Sequence, residues 1–348
     1  MATLEEQLAV YIDLVTKSEV PEELKQRLLQ RLDQLTVLKE SSTFLPEYDR
    51  MARYVDWVVN LPWQKRTKEV IDLNFARKIL DETHYGLQEI KDKILEYLSV
   101  MKLKQEKGEG EDVLRAPILC FVGLVGTGKT TIAPTIAKAM GRNFARIPFG
   151  GMGDPLDLRG QSKMHPEAEP GKIIKALRQT QSRNCVILLD EIDRVTAEGR
   201  SSIMGVLVEL LDPRQNYQFT DYYVDYPFDL SEVLFIATAN NTTSLATAVV
   251  DRLEPIQMPA YSDEEKITIG KKYMLPKILG ESGVAEASLI IEDAVWASIV
   301  RPLGFDAGMR TLERTVQGVV KKVARMIVEG KGKEFKITPE NVKQFVPR

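Results

Sequence analysis

Along residues 4–60 the apolar positions recur every three or four residues with polar ones between, a period that predicts helices only. Leu24, Leu28, Leu32, Leu35 and Leu38 mark one apolar stripe. Ser18 is expected to cap that helix, and Pro21 is tolerated because a first-turn N–H has no intrahelical partner. A further helix carries Met51, Tyr54, Val55 and Val58, and "NLPW" (60–63) ends it, since the residue before a proline avoids helical backbone. Residues 75–103 read as more amphipathic helix. "KQEKGEGED" (104–112) is charged and glycine-bearing, as a surface loop is.

The period then changes. Short apolar runs at 118–122, 144–148, 185–189, 233–238 and 255–258 alternate with helical stretches, the pattern of a mostly parallel sheet covered on both faces. From 262 onward helices return, apart from a short strand expected at "EFKIT" (334–338). Three parts are expected: an all-helical region over 1–66, either a bundle or a neck that associates with its own copies; an α/β core over 67–258; and a C-terminal helical lid over 259–348. "NYQFTDYYVDYPFDL" (216–230) holds six aromatics, which predicts a β-hairpin with alternating packed rings; the basic neighbours that base stacking needs are absent.

Composition changes this picture little. With 348 residues, 44% hydrophobic and 28% charged, the chain is ordinary globular material sized for roughly two domains. A net charge of −3 and a pI near 5.8 give no basic footprint for nucleic acid and choose no partner. The start lacks a basic leader, and no segment approaches the roughly 18 apolar residues of a membrane span, so a cytoplasmic chain without a membrane partner is expected. Cys120 and Cys185 sit at the edges of apolar runs, as reduced core thiols do. With His84 and His165 the only histidines, a transition-metal site is not expected.

The chemistry concentrates at "FVGLVGTGKTTIAP" (121–134). Gly123, Leu124, Val125, Gly126, Thr127, Gly128, Lys129 and Thr130 fit G-x-x-x-x-G-K-[ST] between a predicted strand and a predicted helix, with Thr131 following. Glycines let successive N–H groups curl inward, and the helix N-terminus adds partial positive charge, which suits the polyphosphate of ATP. Lys129 would neutralise the β- and γ-phosphates and Thr130 would ligate Mg²⁺. Pro134 removes the helix bond to the Thr130 carbonyl, which predicts a kink or a 3₁₀ first turn. In "VILLDEID" (186–193) four apolar residues predict a buried strand with Asp190 and Glu191 at its carboxyl end, where Asp190 reaches the Mg²⁺ and Glu191 polarises the attacking water. "VLFIATAN" (233–240) ends similarly in Asn240, a candidate to orient the same water or a plain turn former.

These motifs resemble the AAA+ ATPases, and more narrowly the ATPase region of the Lon protease family. "YVDWVVNLPW", "HYGLQEIKDKILEYLSV", "APILCFVG", "GKTT", "RIPFGG", "LRGQ", "PGKIIKALRQ", "LLDEID", "ELLDPRQN", "PFDLSEVLFIATAN", "DRLEPIQMPAY" and "FDAGMRTLER" follow that family's order and spacing. The resemblance implies an AAA+ P-loop fold in a hexameric ring. Arg252 matches the arginine finger that enters the neighbouring subunit's site, and Arg310 matches sensor 2 on the lid. Tyr85 and Leu87 fall where the family lines the adenine pocket. By themselves the arginines would read as surface ion pairs and Tyr85 as core.

Three departures stand out. Leu124 and Val125 replace two prolines of the family's P-loop, but the glycines remain. The substrate-gripping pore loop reads Met164, His165, Pro166, Glu167, where the family has an aromatic–aliphatic pair, so His165 is either a weaker paddle or a solvated loop histidine. The chain stops at "NVKQFVPR" with no room for the family's Ser-Lys proteolytic fold, as expected of a piece of a longer chain more than of a protease-free relative. The expected function is an ATPase that threads unfolded or misfolded protein through a ring toward a proteolytic chamber. The alternatives are an AAA+ module remodelling or loading DNA, and a nucleotide-gated scaffold; Glu191, Asn240 and Arg252 together argue against the scaffold.

Overall fold

The computed structural model describes residues 4–37, 44–107, 118–301 and 308–346. Leu38, most of the 104–112 loop, and Phe305, Asp306 and Ala307 of "FDAGMR" lie outside the described residues.

Helices α1 (Leu4–Lys17), α2 (Glu22–Val37) and α3 (Phe44–Val59) form a bundle in which Leu24, Leu28, Leu32 and Leu35 are buried. Ser18 does not cap α2. Its hydroxyl donates to the Val15 carbonyl and closes α1 instead, while Pro21 supplies the carbonyl that receives the Lys25 N–H. The helical stretch expected over 75–103 comprises two helices, α4 (Leu73–Thr83) and α5 (Gln88–Glu106). They break at Gly86 (φ 67°) and Leu87 (φ 54°), two left-handed residues in succession that no helix accommodates.

Next come β1 (Ile118–Val122), α6 (Lys129–Met140), β2 (Phe144–Pro148), α7 (Leu156–Arg159), α8 (Lys172–Thr180), β3 (Val186–Asp190) and α9 (Arg200–Leu211). A hairpin of β4 (Phe219–Asp221) and β5 (Tyr226–Phe228), then β6 (Leu234–Ala239), α10 (Thr247–Val250) and β7 (Leu253–Gln257), complete the core. The five long strands form one parallel sheet in the order β2-β3-β6-β1-β7. Its two faces follow the period of two. Leu119, Phe121, Val186, Leu188 and Ile236 pack with Ile132, Ile136 and the α4–α5 residues on one side. Cys120, Val122, Ile187, Leu189 and Ala237 pack with α8, α9 and the N-terminal bundle on the other, so that bundle shares a core with the sheet. Both cysteines are buried free thiols.

The aromatic segment is the expected antiparallel hairpin, with Phe219 opposite Phe228. Tyr54 of α3 meets Tyr223 edge-on at 5.8 Å, and Trp63 lies 5.0 Å from the Phe228 ring, so these rings bind the bundle to the core. Pro134 lies inside α6, which opens on a 3₁₀-type bond from the Thr131 N–H to the Gly128 carbonyl.

The last region has its own core around Trp296, Val316, Val320 and Ile337. It contains α11 (Asp263–Ile269), a π turn (Gly270–Met274), α12 (Leu275–Glu281), α13 (Trp296–Val300) and α14 (Arg310–Val328). The expected strand near the end is β9 (Phe335–Ile337). It pairs in parallel with β8 (Leu289–Ile291), a strand the sequence reading did not expect. Among the described residues no helix is long and apolar enough to cross a membrane.

Candidate nucleotide-binding site

Residues 123–128 curl out of the C-terminal end of β1. Gly126 (φ 84°) and Gly128 (φ 94°) adopt left-handed backbone that side-chain-bearing residues avoid. A Cβ at Gly123 would stand 2.7 Å from the Met258 carbonyl oxygen, so glycine is required there by close approach. Leu124 and Val125 are exposed, and Thr127 is buried with its hydroxyl on the Leu124 carbonyl. The glycines shape this loop and the two atypical residues do not disturb it.

Lys129 is the first residue of α6. Its ammonium donates to the carbonyls of Gly123 (2.6 Å) and Leu124 (2.8 Å) and to Asn240 Oδ1 (3.2 Å). Burial holds its pKa below the ordinary lysine value; Asp193, Glu191 and Asp190 oppose that and Arg310 adds to it. The Thr130 hydroxyl donates to Asp190 Oδ1 at 3.1 Å, and the Thr131 hydroxyl donates to the Gly128 carbonyl. Asp190 closes β3 and is 2% exposed. Glu191 turns away from the strand in left-handed backbone (φ 58°), with Arg194 3.8 Å from its carboxylate. Asn240 follows β6 and also donates to Asp193 Oδ2 at 3.3 Å. Lys129, Thr130, Asp190, Glu191 and Asn240 therefore gather at one edge of the sheet, the edge at which parallel strands present their carboxyl ends.

The two arginines lie on different rims. Arg310 opens α14 beside the loop: a Cβ on Gly126 would sit 3.5 Å from its Cγ, and the adjacent Met309 N–H donates to the Gly126 carbonyl at 2.9 Å. Arg252 precedes β7, and its carbonyl accepts the Ile118 N–H at the start of β1. Five strand residues separate that point from Gly123, about 16 Å at 3.3 Å each. Its guanidinium is held by Asp212 (2.6 Å) and the Ala248 carbonyl, and the Arg252 bond keeps the Asp212 carboxyl below the usual range.

Tyr85 lies 6.2 Å from the ring of Tyr273, which the lid's π turn carries, and Leu87 packs against the α4–α6 side of the core. His84 Nε2 meets the Thr131 hydroxyl at 2.9 Å and ties this segment to α6; burial lowers its pKa to about 4. The pore-loop candidates stand apart, on the hairpin side. Met164 is 73% exposed, the His165 N–H donates to Ser162, and the Pro166 carbonyl accepts from Arg53 of α3.

Sequence reading missed four groups. The Thr238 hydroxyl accepts the Glu191 N–H (2.8 Å) and donates to Asp190 Oδ1, joining the two acids. A threonine inside the apolar run "LFIATA" was the signal. Arg146, a lone charge within "FARIP", reaches Asp190 Oδ2. Asp193, the third acid of "DEID", carries a buried Oδ1 without a hydrogen-bond partner. Gly308 presses on the loop: a Cβ there would be 2.5 Å from the Val125 carbonyl oxygen.

The oxygen donors fit Mg²⁺. Thr130 and Asp190 offer hard oxygens side by side, with the unpartnered Asp193 Oδ1 in the same group. Among the described residues no cluster of three or more His, Cys, Asp or Glu forms a metal cage, and Mg²⁺ characteristically binds through one or two protein oxygens plus phosphates.

Comparison with known families agrees with the geometry. Residues 119–259 match the ATPase family associated with various cellular activities (AAA), and residues 280–336 match the Lon protease AAA+ ATPase lid domain. The Lon protease of Lawsonia intracellularis is 41% identical over 346 residues, covering 99% of this chain and 40% of that protein. The Lon protease of Geobacter metallireducens is 42% identical over 313 residues (90% and 37%), and Lon protease 2 of Thermus thermophilus 39% over 333 (94% and 41%). The chain thus spans about two fifths of the length of the curated relatives it matches. With the AAA domain and the Lon lid in succession on one parallel-sheet core, the chain belongs to the AAA+ ATPase region of the Lon protease family.

Proposed function

We propose that this chain hydrolyses Mg·ATP and uses the hydrolysis to move unfolded or misfolded protein through a ring of its own copies, a hexamer in the family, toward a proteolytic chamber. The convergence of Lys129, Thr130, Asp190 and Asn240 on the glycine loop carries this reading. The loop amides and the start of α6 bind the phosphates. Lys129 leaves the loop carbonyls for the β- and γ-phosphates. Thr130 and Asp190 hold the Mg²⁺, which when bound offsets phosphate charge. Glu191 takes the proton of the attacking water, and Asn240 orients that water from the neighbouring strand. Arg310 contacts the γ-phosphate from the lid of the same subunit. Tyr85 and Leu87 border the adenine, with Tyr273 against Tyr85. The core–lid boundary near 258 becomes the hinge of the cycle.

Arg252 acts on the neighbouring subunit, because roughly 16 Å of strand separates it from its own loop. Met164, His165 and Pro166 face the pore; Met164 provides the exposed apolar contact, and Arg53 braces the loop from α3. Two reduced, buried thiols fit a cytoplasmic setting.

The test measures ATP turnover with casein unfolded in solution and, separately, with duplex DNA at physiological salt. Stimulation by casein alone supports the reading. Stimulation by DNA alone would assign the motor to DNA remodelling instead. Lys129→Ala serves as the control and is expected to lose nucleotide binding.

A further inference from the structure

Asp190 is a carboxylate at 2% exposure, and both its oxygens are already engaged. Oδ1 accepts from the hydroxyls of Thr130 and Thr238. Oδ2 is gripped by a single side chain, Arg146, through Nε at 2.8 Å and Nη2 at 2.5 Å. Strand register explains the reach. Phe144 and Arg146 of β2 stand opposite Val186 and Leu188 of β3, so Arg146 shares the α6 face of the sheet with Asp190, one step behind it. β2 is an edge strand, and the Arg146 side chain is 51% exposed, with water on one side of it. Among the described residues Asp190 forms no other ion pair, and a buried carboxylate stripped of a partner is strongly destabilising. Yet a cation arriving at Thr130 requires one of the same oxygens, and a guanidinium and Mg²⁺ on one carboxylate repel each other at low dielectric.

We propose that Arg146 is a positioning residue for Asp190 that competes with Mg²⁺: its guanidinium holds the metal-binding carboxylate in place and swings to solvent when the cation arrives with its nucleotide. This rests on the Mg·ATP reading of the site. Arg146 thereby sets how much Mg²⁺ the site requires, without touching phosphate.

The experiment uses the whole chain with a fluorescent ADP analogue and MgCl₂ as probes, comparing wild type with Arg146→Ala. Without Mg²⁺ and nucleotide, Arg146→Ala is expected to melt at least about 3 °C lower, from the unpaired buried carboxylate. The Mg²⁺ concentration giving half of the Mg-dependent gain in nucleotide binding is expected to fall about tenfold, the scale of one lost charged hydrogen bond. With saturating Mg²⁺ and nucleotide the melting deficit should disappear. Adding Asp190→Asn to Arg146→Ala should restore the ligand-free melting temperature, since the unpaired charge is gone. Arg146→Gln, which keeps a donor, covers the case in which alanine prevents folding, and is expected to shift the Mg²⁺ requirement in the same direction.

A melting deficit of equal size with and without Mg²⁺ and nucleotide makes Arg146 merely structural and overturns the proposal. Weaker nucleotide binding by Arg146→Ala in EDTA makes it a phosphate ligand and overturns it as well. A wild-type chain that binds nucleotide without any response to Mg²⁺ removes the Mg·ATP reading itself, whatever Arg146 does.

Discussion

Glu191 and its neighbours make the sharpest tests, because each side chain here has a few named partners. Glu191→Gln keeps the shape and removes the proposed base, so it is expected to bind ATP normally and to lose about 100-fold or more in turnover, read in a steady-state phosphate-release assay. Thr238→Val removes the hydroxyl that serves both acids and strands a buried acceptor and an N–H. A stability loss of about 1–3 kcal/mol by chemical denaturation should accompany slower turnover. His84 predicts a pH effect. Its folded pKa, about 4, lies below the unfolded value near 6.5, so the unfolded chain binds the extra proton between them. Stability from this group is present above pH 6.5 and is lost as pH falls toward 4. Between pH 7 and pH 5 the loss is about 2 kcal/mol. His84→Gln should lose less over that interval, and equal losses in both proteins would refute the assignment.

Among the elements, the join between α14 and the glycine loop governs nucleotide binding in this reading. Met309 N–H and Gly308 rest on Gly126 and Val125, so the lid touches the loop through backbone, with no side chain to give way. Gly308→Ala places a Cβ 2.5 Å from a carbonyl oxygen and must push α14 off the loop. Overpacking costs of 1–3 kcal/mol translate into roughly tenfold weaker nucleotide binding, measurable by titration, with little change in the core's own unfolding. The π turn at Gly270–Met274 works similarly at the other end of the lid. A Cβ on Gly270 would lie 2.5 Å from the Trp296 ring, and the turn brings Tyr273 to Tyr85. The bundle reaches the pore-loop candidates by Arg53 and by Lys163, whose ammonium lies 4.7 Å above the Tyr54 ring.

For the molecule as a whole, the proposed action of Arg252 on a neighbouring site requires a second copy. Arg252→Ala should bind ATP and lose a factor of about 10³ to 10⁵ in turnover if it acts in trans. Mixing it with Lys129→Ala should then recover part of the activity, because one chain offers the loop and the other the arginine; no recovery at any ratio speaks against a shared site. Sizing with a slowly hydrolysed ATP analogue is expected to show assembly beyond the monomer.

Much of this molecule was legible in order along the chain. The five sheet strands lay within a residue or two of their apolar runs, and the hairpin and glycine loop stood where local chemistry put them, because strand period, turn residues and φ > 0 glycines act over a few residues. The assignment of Ser18 failed because a hydroxyl between two helices can serve either one, and only the packed chain selects. The helical character of 75–103 was legible, but the break at Gly86 and Leu87 was not, because periodicity does not report left-handed backbone. Thr238 beneath Asp190, Arg146 beside it, His84 on Thr131 and Gly308 on Val125 were invisible for a different reason. Each joins residues 44 to 183 positions apart. Parallel register and helix docking are settled by burying two sheet faces at once, a condition on the whole core that no window of sequence contains.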